Sequence, residues 1–566
     1  MGDDETVPVC DIYQSTTRTE VLMSCAAIGI GGTGARCIEA LVHLCAAGLG
    51  PKELYIMLVD PDSANGNLER ARRTILKYCD CREMLGQPAP EGTHTFSTHI
   101  RFGNENEPEN LMWSPTDGTR MRHLGDLFQY DRHPKWQDLC RMFYSDFELN
   151  KLVWDRGFRG HASVSAPAMA LVRNRLDKPP WSHLISITQN ALAVGGQRTF
   201  IFASAFGATG AGAFPTIPRI LRKVAFDQKW DRRSDYGIGG ALLLPYIMFE
   251  SPHAEKEEHA QAKHFPMNTQ AALLHYRRAW ESGSPYDSVY YLGAREPDLI
   301  DRKETGGMFA LGARDQRNPA HFVELLAAFS ALDFYSRDTK YEIVDDTSRR
   351  CSAYTAAGSS GKFVGWEDLP ASTGRSEGNS SPHAEVQLTR YLTLLSAFVD
   401  FFGPLMKSNG FEKRRRLSAW YYRYFTPSSL TDPGAANGID TLTTFGRDIV
   451  FPWFWQLHKT SANLPLHLFD MEFLESRTDA ETARARGENA LHFSRIPHST
   501  SGKVREGRIL DDGYTAIWDR MCRQSHSYSS TTPMGKFWQM LERAAADYAD
   551  DRYQFTALAN ESGEES

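Results

Sequence analysis

The chain has 566 residues, with 63 Lys and Arg against 70 Asp and Glu, a formal charge of −7. Its composition, 41% hydrophobic and 23% charged, excludes wholesale disorder and a collagen-like or coiled-coil rod, and the negative balance argues against a general polyanion binder such as a nucleic-acid coat. Nine cysteines without a C-x-x-C pair, the nearest two being Cys79 and Cys81, argue against a zinc framework or a secreted disulfide scaffold and point to a reducing, cytoplasmic compartment.

The first residues, MGDDETVPVC, are acidic where a secretory signal is basic and then apolar. Met1-Gly2 with Thr6 matches the myristoylation pattern only formally, and residues 1–19 are read as a tail. Residues 21–30 form a small-residue apolar run that feeds into GGTG and then ARCIEALVHLCAAGLG, which reads as strand, tight glycine turn and helix. That helix carries Ile38, Leu41, Val42 and Cys45 on one face and stops at Gly48 and Gly50. A second strand, 54–59, ends in Asp60-Pro61-Asp62, so a βαβ unit of parallel strands opens the chain. The pattern over 78–155 is irregular, rich in Pro, His, Trp and charge, and reads as an insertion with short helices.

A loop, GFRG at 157–160, leads into a helical stretch near 166–175. The run 199–205 (TFIFASA) is a buried strand, followed by FGATGAG and a helix over 214–226. Strands over 239–248 and 288–292 flank a helix over 269–280, and a long helix follows at about 319–335. Such alternation predicts an α/β fold, a doubly wound parallel sheet occupying residues 20–350. The Gly/Ser/Pro-rich stretch 352–385 reads as a linker or mobile loop, placed as a boundary at 351–385. Beyond it, 386–558 reads as a mostly helical domain with aromatic-rich core segments, and 559–566 as an acidic tail. No run reaches the roughly 18–20 apolar residues that a membrane-spanning helix needs. The basic KRRR at 413–416 beside WYYRYF reads as a solvated helix face rather than a nucleic-acid contact.

Two glycine-rich turns, each between a predicted strand and a predicted helix, carry the chemistry. Glycine permits positive φ and close backbone approach, and the helix start behind it offers unpaired N–H groups to an anion. The first turn holds Gly29, Gly31, Gly32, Thr33 and Gly34, and the second holds Gly207, Ala208, Thr209, Gly210, Ala211 and Gly212. Asp60 and Asp62 can accept from a ribose or stand beside a hydrated Mg²⁺; a turn or helix cap is the competing reading. The loop RGFRGHASVS, 156–165, brings Arg156, Arg159, Gly160, His161 and Ala162 to a helix start where a terminal phosphate can bind. No metal-ligand cluster, H-E-x-x-H, G-x-S-x-G or Walker lysine motif is present in the sequence.

The order GIGGTGAR, LVDPD, GFRGHASVS, FIFASAFGATGAGAFPTIPRIL resembles the tubulin/FtsZ superfamily over residues 20–335, on the side of the divergent prokaryotic tubulin-like proteins. The family loop G-G-G-T-G-[ST]-G reads FGATGAG here, with Phe206 and Ala208 in place of two glycines and Ala211 at the hydroxyl position. The resemblance implies a GTP-binding protein, possibly hydrolytic in the way a GTPase is, that forms filaments or other oligomers, with GTP (or ATP) and Mg²⁺ as cofactors. It implies that Gly31, Gly32 and Gly34 face the α/β phosphates, the second loop the phosphate tail, and Gly160 to Ala162 the γ-phosphate. A base reader would stand near Asn318 and His321, and the acidic residues available for hydrolysis are Asp345, Asp346, Glu367 and Asp368. A protein partner on the C-terminal domain is a further expectation. Two alternatives stand beside this reading. GIGGTG followed by LVDPDSANGNLERAR also resembles ATP-dependent adenylating enzymes of the ThiF and ubiquitin-activating group, and a non-hydrolysing nucleotide-binding scaffold would need only the loops.

Overall fold

The computed structural model describes residues 23–86, 94–103, 108–117, 121–249, 265–294, 297–300, 318–337, 344, 348–355, 384–407, 433–460, 509–524 and 528–563. The expected βαβ unit is present: β1 (Met23–Ile30), α1 (Gly31–Ala46) and β2 (Glu53–Val59), with Gly29 of β1 in register with Leu58. Helix α2 (Gly66–Leu85) follows, with Leu68, Ala71, Ile75 and Tyr78 buried at helical spacing, so regular structure runs past Tyr78, where the irregular segment was expected to begin. Within that segment lie two short strands on β2, namely β3 (His99–Arg101) and β4 (Met112–Trp113), and two helices, α3 (Leu124–Phe128) and α4 (Pro134–Phe143).

The GFRG loop opens α5 (Ala162–Met169), earlier than the sequence pattern placed it, and α6 (Trp181–Val194) leads to β5 (Gly196–Ser204). The second glycine turn starts α7 (Ala208–Ala213), after which come α8 (Thr216–Asp227), β6 (Tyr236–Leu243), β7 (Ile247–Phe249), α9 (Phe265–Ala279), β8 (Ser288–Leu292), β9 (Asp298–Ile300), α10 (Phe322–Ser336) and β10 (Ser352–Thr355). The main sheet has eight strands in the order β10-β8-β6-β5-β1-β2-β3, with β4 also on β2, and β7 pairs β9 apart from it. All of these pairings are parallel.

The start of the stretch read as a linker is thus an edge strand. Tyr354 stacks on Tyr290 of β8 at 4.8 Å, and the Arg337 guanidinium lies 4.2 Å from the centre of the Tyr354 ring. Four residues are too few for a local period to show, and these partners are distant in sequence. The remaining 356–383 lie outside the described residues.

Strand side chains alternate between two cores. Cys25, Ala27, Phe200 and Phe202 join the core beneath α1, α2 and α10, while Ala26, Ile28, Ile201 and Ala203 join the core beneath α5, α6 and α8. Helix α1 is buried all round rather than on one face. Its polar residues are matched from other elements: Arg36 pairs with Glu324 and donates to the Pro319 carbonyl at 2.7 Å, and Glu39 pairs with Arg70 at 2.6 Å. His43 lies against Trp453, ring centres 4.2 Å apart, and burial, then the Arg70 charge, lower its pKa to about 3, so it packs as a neutral ring.

What covers the outside of α1 and α2 is the C-terminal part, which is helical over most of its described residues: α11 (Ala384–Ala397), α12 (Gly403–Lys407), α13 (Pro433–Phe445), α14 (Phe451–Thr460), α15 (Ile509–Arg523) and α16 (Pro533–Gly563). These helices share one continuous apolar core with that face of the sheet. Polar ties at the seam include Gln387 Nε2 to the Ala47 carbonyl at 2.7 Å, Trp538 Nε1 to Thr95 Oγ1 at 2.8 Å and Ser530 Oγ to the Leu85 carbonyl at 2.7 Å. Of the aromatic-rich segments, Trp453, Phe454 and Leu457 are core as expected, whereas 413–425 lies outside the described residues. No helix among the described residues is long and apolar enough to cross a membrane.

Candidate functional site

In the main sheet, β1 leads outward to β2 and β3, whereas β5 leads the other way to β6, β8 and β10. The order reverses between β1 and β5, neighbours with Gly29 beside Phe202, and a crevice opens beyond strand ends at such a reversal. Both glycine turns are there, one after β1 and one after β5.

The first turn meets the second turn and the acidic pair at Gly31. Its φ is +72°, which glycine adopts freely, and a Cβ on it would lie 3.4 Å from Thr209 Cβ and 3.8 Å from Asp60 Oδ2. Gly32 faces the start of α2, where a Cβ would be 3.2 Å from Asn67 Nδ2 and 3.4 Å from Asn65 Nδ2. Gly157, φ +77°, stands over Asp62, its Cβ position 3.9 Å from that of Asp62. Gly160, φ +91°, then turns the chain so that His161 and Ala162 begin α5. Helix α5 is seated on α7, with Ser165 Oγ donating to the Thr209 carbonyl at 3.2 Å.

Four segments distant in sequence therefore share one crevice. Gly32, Thr33, Gly207 and Thr209 are half-buried at its wall, as are Gly160, His161 and Ala162, so the crevice is open to solvent. Helices α1, α5 and α7 begin at Ile30, His161 and Gly207 without a side-chain cap, which leaves their first N–H groups for another acceptor.

Not every predicted glycine lines the crevice. A Cβ on Gly34 would lie 2.6 Å from the Phe202 carbonyl oxygen, one on Gly210 2.6 Å from the Ser204 carbonyl oxygen, and one on Gly212 2.5 Å from Ser165 Oγ. The first two let α1 and α7 close on β5, and the third lets α7 close on α5; Ala208 and Ala211 beside them are buried.

Asp60 is 4% exposed, and its Oδ1 accepts from the Asp62 amide at 2.8 Å. Burial pushes its pKa up to about 8, against the pull of that hydrogen bond, and the Asp62 charge adds to the rise. A buried carboxyl in this state is costly to ionise until a cation or a hydrogen-bond donor arrives. Among the described residues no group of three or more His, Cys, Asp or Glu could hold a metal by itself. The pair Asp60 and Asp62 suits Mg²⁺ of the kind that keeps its waters and shares its shell with phosphates.

Between about pH 4 and 8 the folded protein holds a proton on Asp60 that the unfolded chain has lost, so ionisation removes stability as pH rises through this window. Asp60→Asn therefore stabilises the protein relative to wild type increasingly from pH 4 to 8, by about 1–3 kcal/mol at the top. Urea unfolding at several pH values measures this, and a difference that does not grow with pH contradicts it.

His161 is tied to Glu148, Nδ1 to Oε1 at 3.2 Å. Glu148 also accepts from Ser163 Oγ at 2.8 Å and the Ser145 amide at 2.9 Å, and these partners, the His161 contact first, hold its pKa down to about 2. Asn318 and His321 lie at the entrance to α10 and are both buried. The His321 ring accepts from the Val323 amide at 3.1 Å as the helix cap, and the Asn318 amide donates to Asn67 Oδ1 at 3.1 Å. Asp345, Asp346, Glu367 and Asp368 lie outside the described residues.

Asn65 and Asn67 are not among the residues expected at the site. Asn65 caps α2, its Oδ1 accepting from the Asn67 amide at 2.9 Å, while Asn67 joins Gly32 to Asn318. The signal available was an asparagine ahead of an amphipathic run, which reads as a cap and nothing more. Arg70, half-buried within the LVDPDSANGNLERAR stretch, pairs with Glu39 and donates to the Asn318 carbonyl at 2.8 Å.

No protein-family model matches the sequence, and no curated protein matches it. Among solved structures, CetZ2 from Haloferax volcanii, described as a GTPγS-bound protofilament, is similar at 13% identity, with 56% of this chain and 61% of that chain covered and a TM-score of 0.23. The chain thus matches less than two thirds of that protein's length.

Proposed function

We propose that this chain binds a magnesium nucleoside triphosphate, GTP by the motif order, in the crevice between β1 and β5, and that it self-associates as a tubulin-like protein. The observation that carries the reading is the meeting at Gly31 of both glycine turns and the acidic pair, with Thr209 at 3.4 Å and Asp60 at 3.8 Å. A dinucleotide fold needs one glycine turn at the reversal point; a second one beside it, with a third helix start from α5, supplies donors for a longer phosphate chain. The buried Asp60 is matched by the Mg²⁺ that accompanies such a chain.

The supporting experiment is equilibrium binding of GTP, ATP and NAD to the full chain with Mg²⁺, followed by phosphate release and light scattering. Micromolar binding of GTP over the other two is expected, with scattering that rises on its addition. ATP preference with pyrophosphate release moves the assignment to adenylation, and binding of no triphosphate refutes the proposal.

A further inference from the structure

Helix α4 is ten residues long, and Cys140 is its one buried residue. Its large apolar side chains point to solvent: Trp136 is 61% exposed, Leu139 47%, Met142 77% and Phe143 68%. The helix is tied down chiefly at its neighbour Tyr130, whose carbonyl accepts from Gln137 Nε2 at 3.1 Å and whose ring lies 6.0 Å from the Arg141 guanidinium. An isolated helix of this length is marginal in water, so an apolar stripe left uncovered stabilises nothing.

We infer that this stripe is a docking surface for a second copy of the chain, α4 against α4 about a two-fold axis. Side chains of this size and exposure present on the order of 400–500 Å² of contiguous apolar surface, at the upper end of what a monomer shows. A stable interface buries about 800 Å² per partner, its centre rich in aromatics and Met and its rim polar. The stripe has the composition of such a centre, and the exposed charges around it supply the rim.

Those charges choose the occupant. Arg132, Lys135 and Arg141 are interspersed with Asp131 and Asp138, three cations against two anions, all exposed. An anionic bilayer or a polyanion calls for a rim of one sign, and the chain as a whole carries −7. A rim of both signs suits its own copy, because a two-fold contact sets the same patch against itself. Antiparallel helices also oppose their dipoles favourably. The contact makes no use of the glycine crevice and stands independently of the nucleotide.

Sedimentation equilibrium of the full chain without nucleotide tests this, with Trp136→Ser/Met142→Ser and Phe143→Asp as variants. These side chains are exposed, so both variants keep the wild-type melting curve at protein concentrations well below the dimer's dissociation constant, where mass action adds nothing to the wild type. A micromolar dimer is expected in the wild type, weakened at least about 30-fold by either variant, as removal of aromatic anchors does. Amide exchange over 134–143 slows with concentration in the wild type alone. A wild type that stays monomeric at about 100 μM, or a dimer that both variants leave intact, overturns the inference. So does flotation with phosphatidylserine vesicles that depends on the same side chains, which assigns the stripe to a bilayer.

Discussion

Gly32→Asp keeps the melting temperature of the wild type and loses at least about 100-fold in triphosphate affinity, some 2.7 kcal/mol. Gly32 is half-buried in the first turn of α1, with no positive φ to preserve. The atoms nearest a Cβ there belong to Asn65 and Asn67, whose amide nitrogens lie 3.2–3.4 Å away and can donate to a carboxylate, with Asn65 Oδ1 at 3.5 Å. An acidic residue in a first helical turn also complements the dipole. The fold therefore tolerates the change, while the fixed negative charge takes the place assigned to a phosphate and repels what remains. Gly210 is a poorer choice for such a block, because its Cβ would lie 2.6 Å from the Ser204 carbonyl oxygen and lost binding could mean lost fold. Calorimetric titration with GTP and Mg²⁺, beside a thermal melt, reads both quantities. Affinity within about three-fold of wild type removes the phosphate from α1.

Asp287→Ala lowers the free energy of unfolding by about 3–5 kcal/mol. Asp287 is 1% exposed and its carboxylate serves several elements at once. Its Oδ2 is 2.5 Å from Arg222 Nη2 of α8 and accepts from the Ile238 amide of β6 at 2.6 Å, with Arg349 Nε 3.8 Å from Oδ1. Arg222, also buried, donates on to the Tyr236 and Pro285 carbonyls. Truncation leaves a buried guanidinium without its counter-charge and a strand amide without an acceptor. Asp287→Asn, which keeps an acceptor for Ile238, costs less. Urea denaturation checks both, and a loss under about 1 kcal/mol for the alanine variant contradicts the account. Since this cluster stands at the strand starts and the crevice at the strand ends, triphosphate affinity of the folded fraction is unchanged.

The crevice and the Asp287 cluster differ in how far the chain announced them. Glycines between an apolar run and a helical period are a local pattern, and parallel strands turn local patterns into a shared place: once β1 and β5 are neighbours, the turns after them must meet. The Asp287 cluster has no local pattern, because Arg222, Ile238 and Arg349 belong to separate elements.

By itself, then, the sequence determined the α/β alternation, the two glycine turns, the acidic pair and the helical C-terminal part, since each rests on chain-local physics: side-chain period, glycine's freedom of φ, a cap before a helix. Only the tertiary structure decided that Gly34, Gly210 and Gly212 are packing residues, that Ser352–Thr355 is an edge strand, that α1 is covered on all sides, and that α4 is not. The physical reason is common to all four. Whether an apolar or small residue faces a crevice, a neighbouring backbone or water depends on which distant element is laid against it, and that is settled by the summed burial of the whole sheet and its helices rather than by any stretch of ten residues.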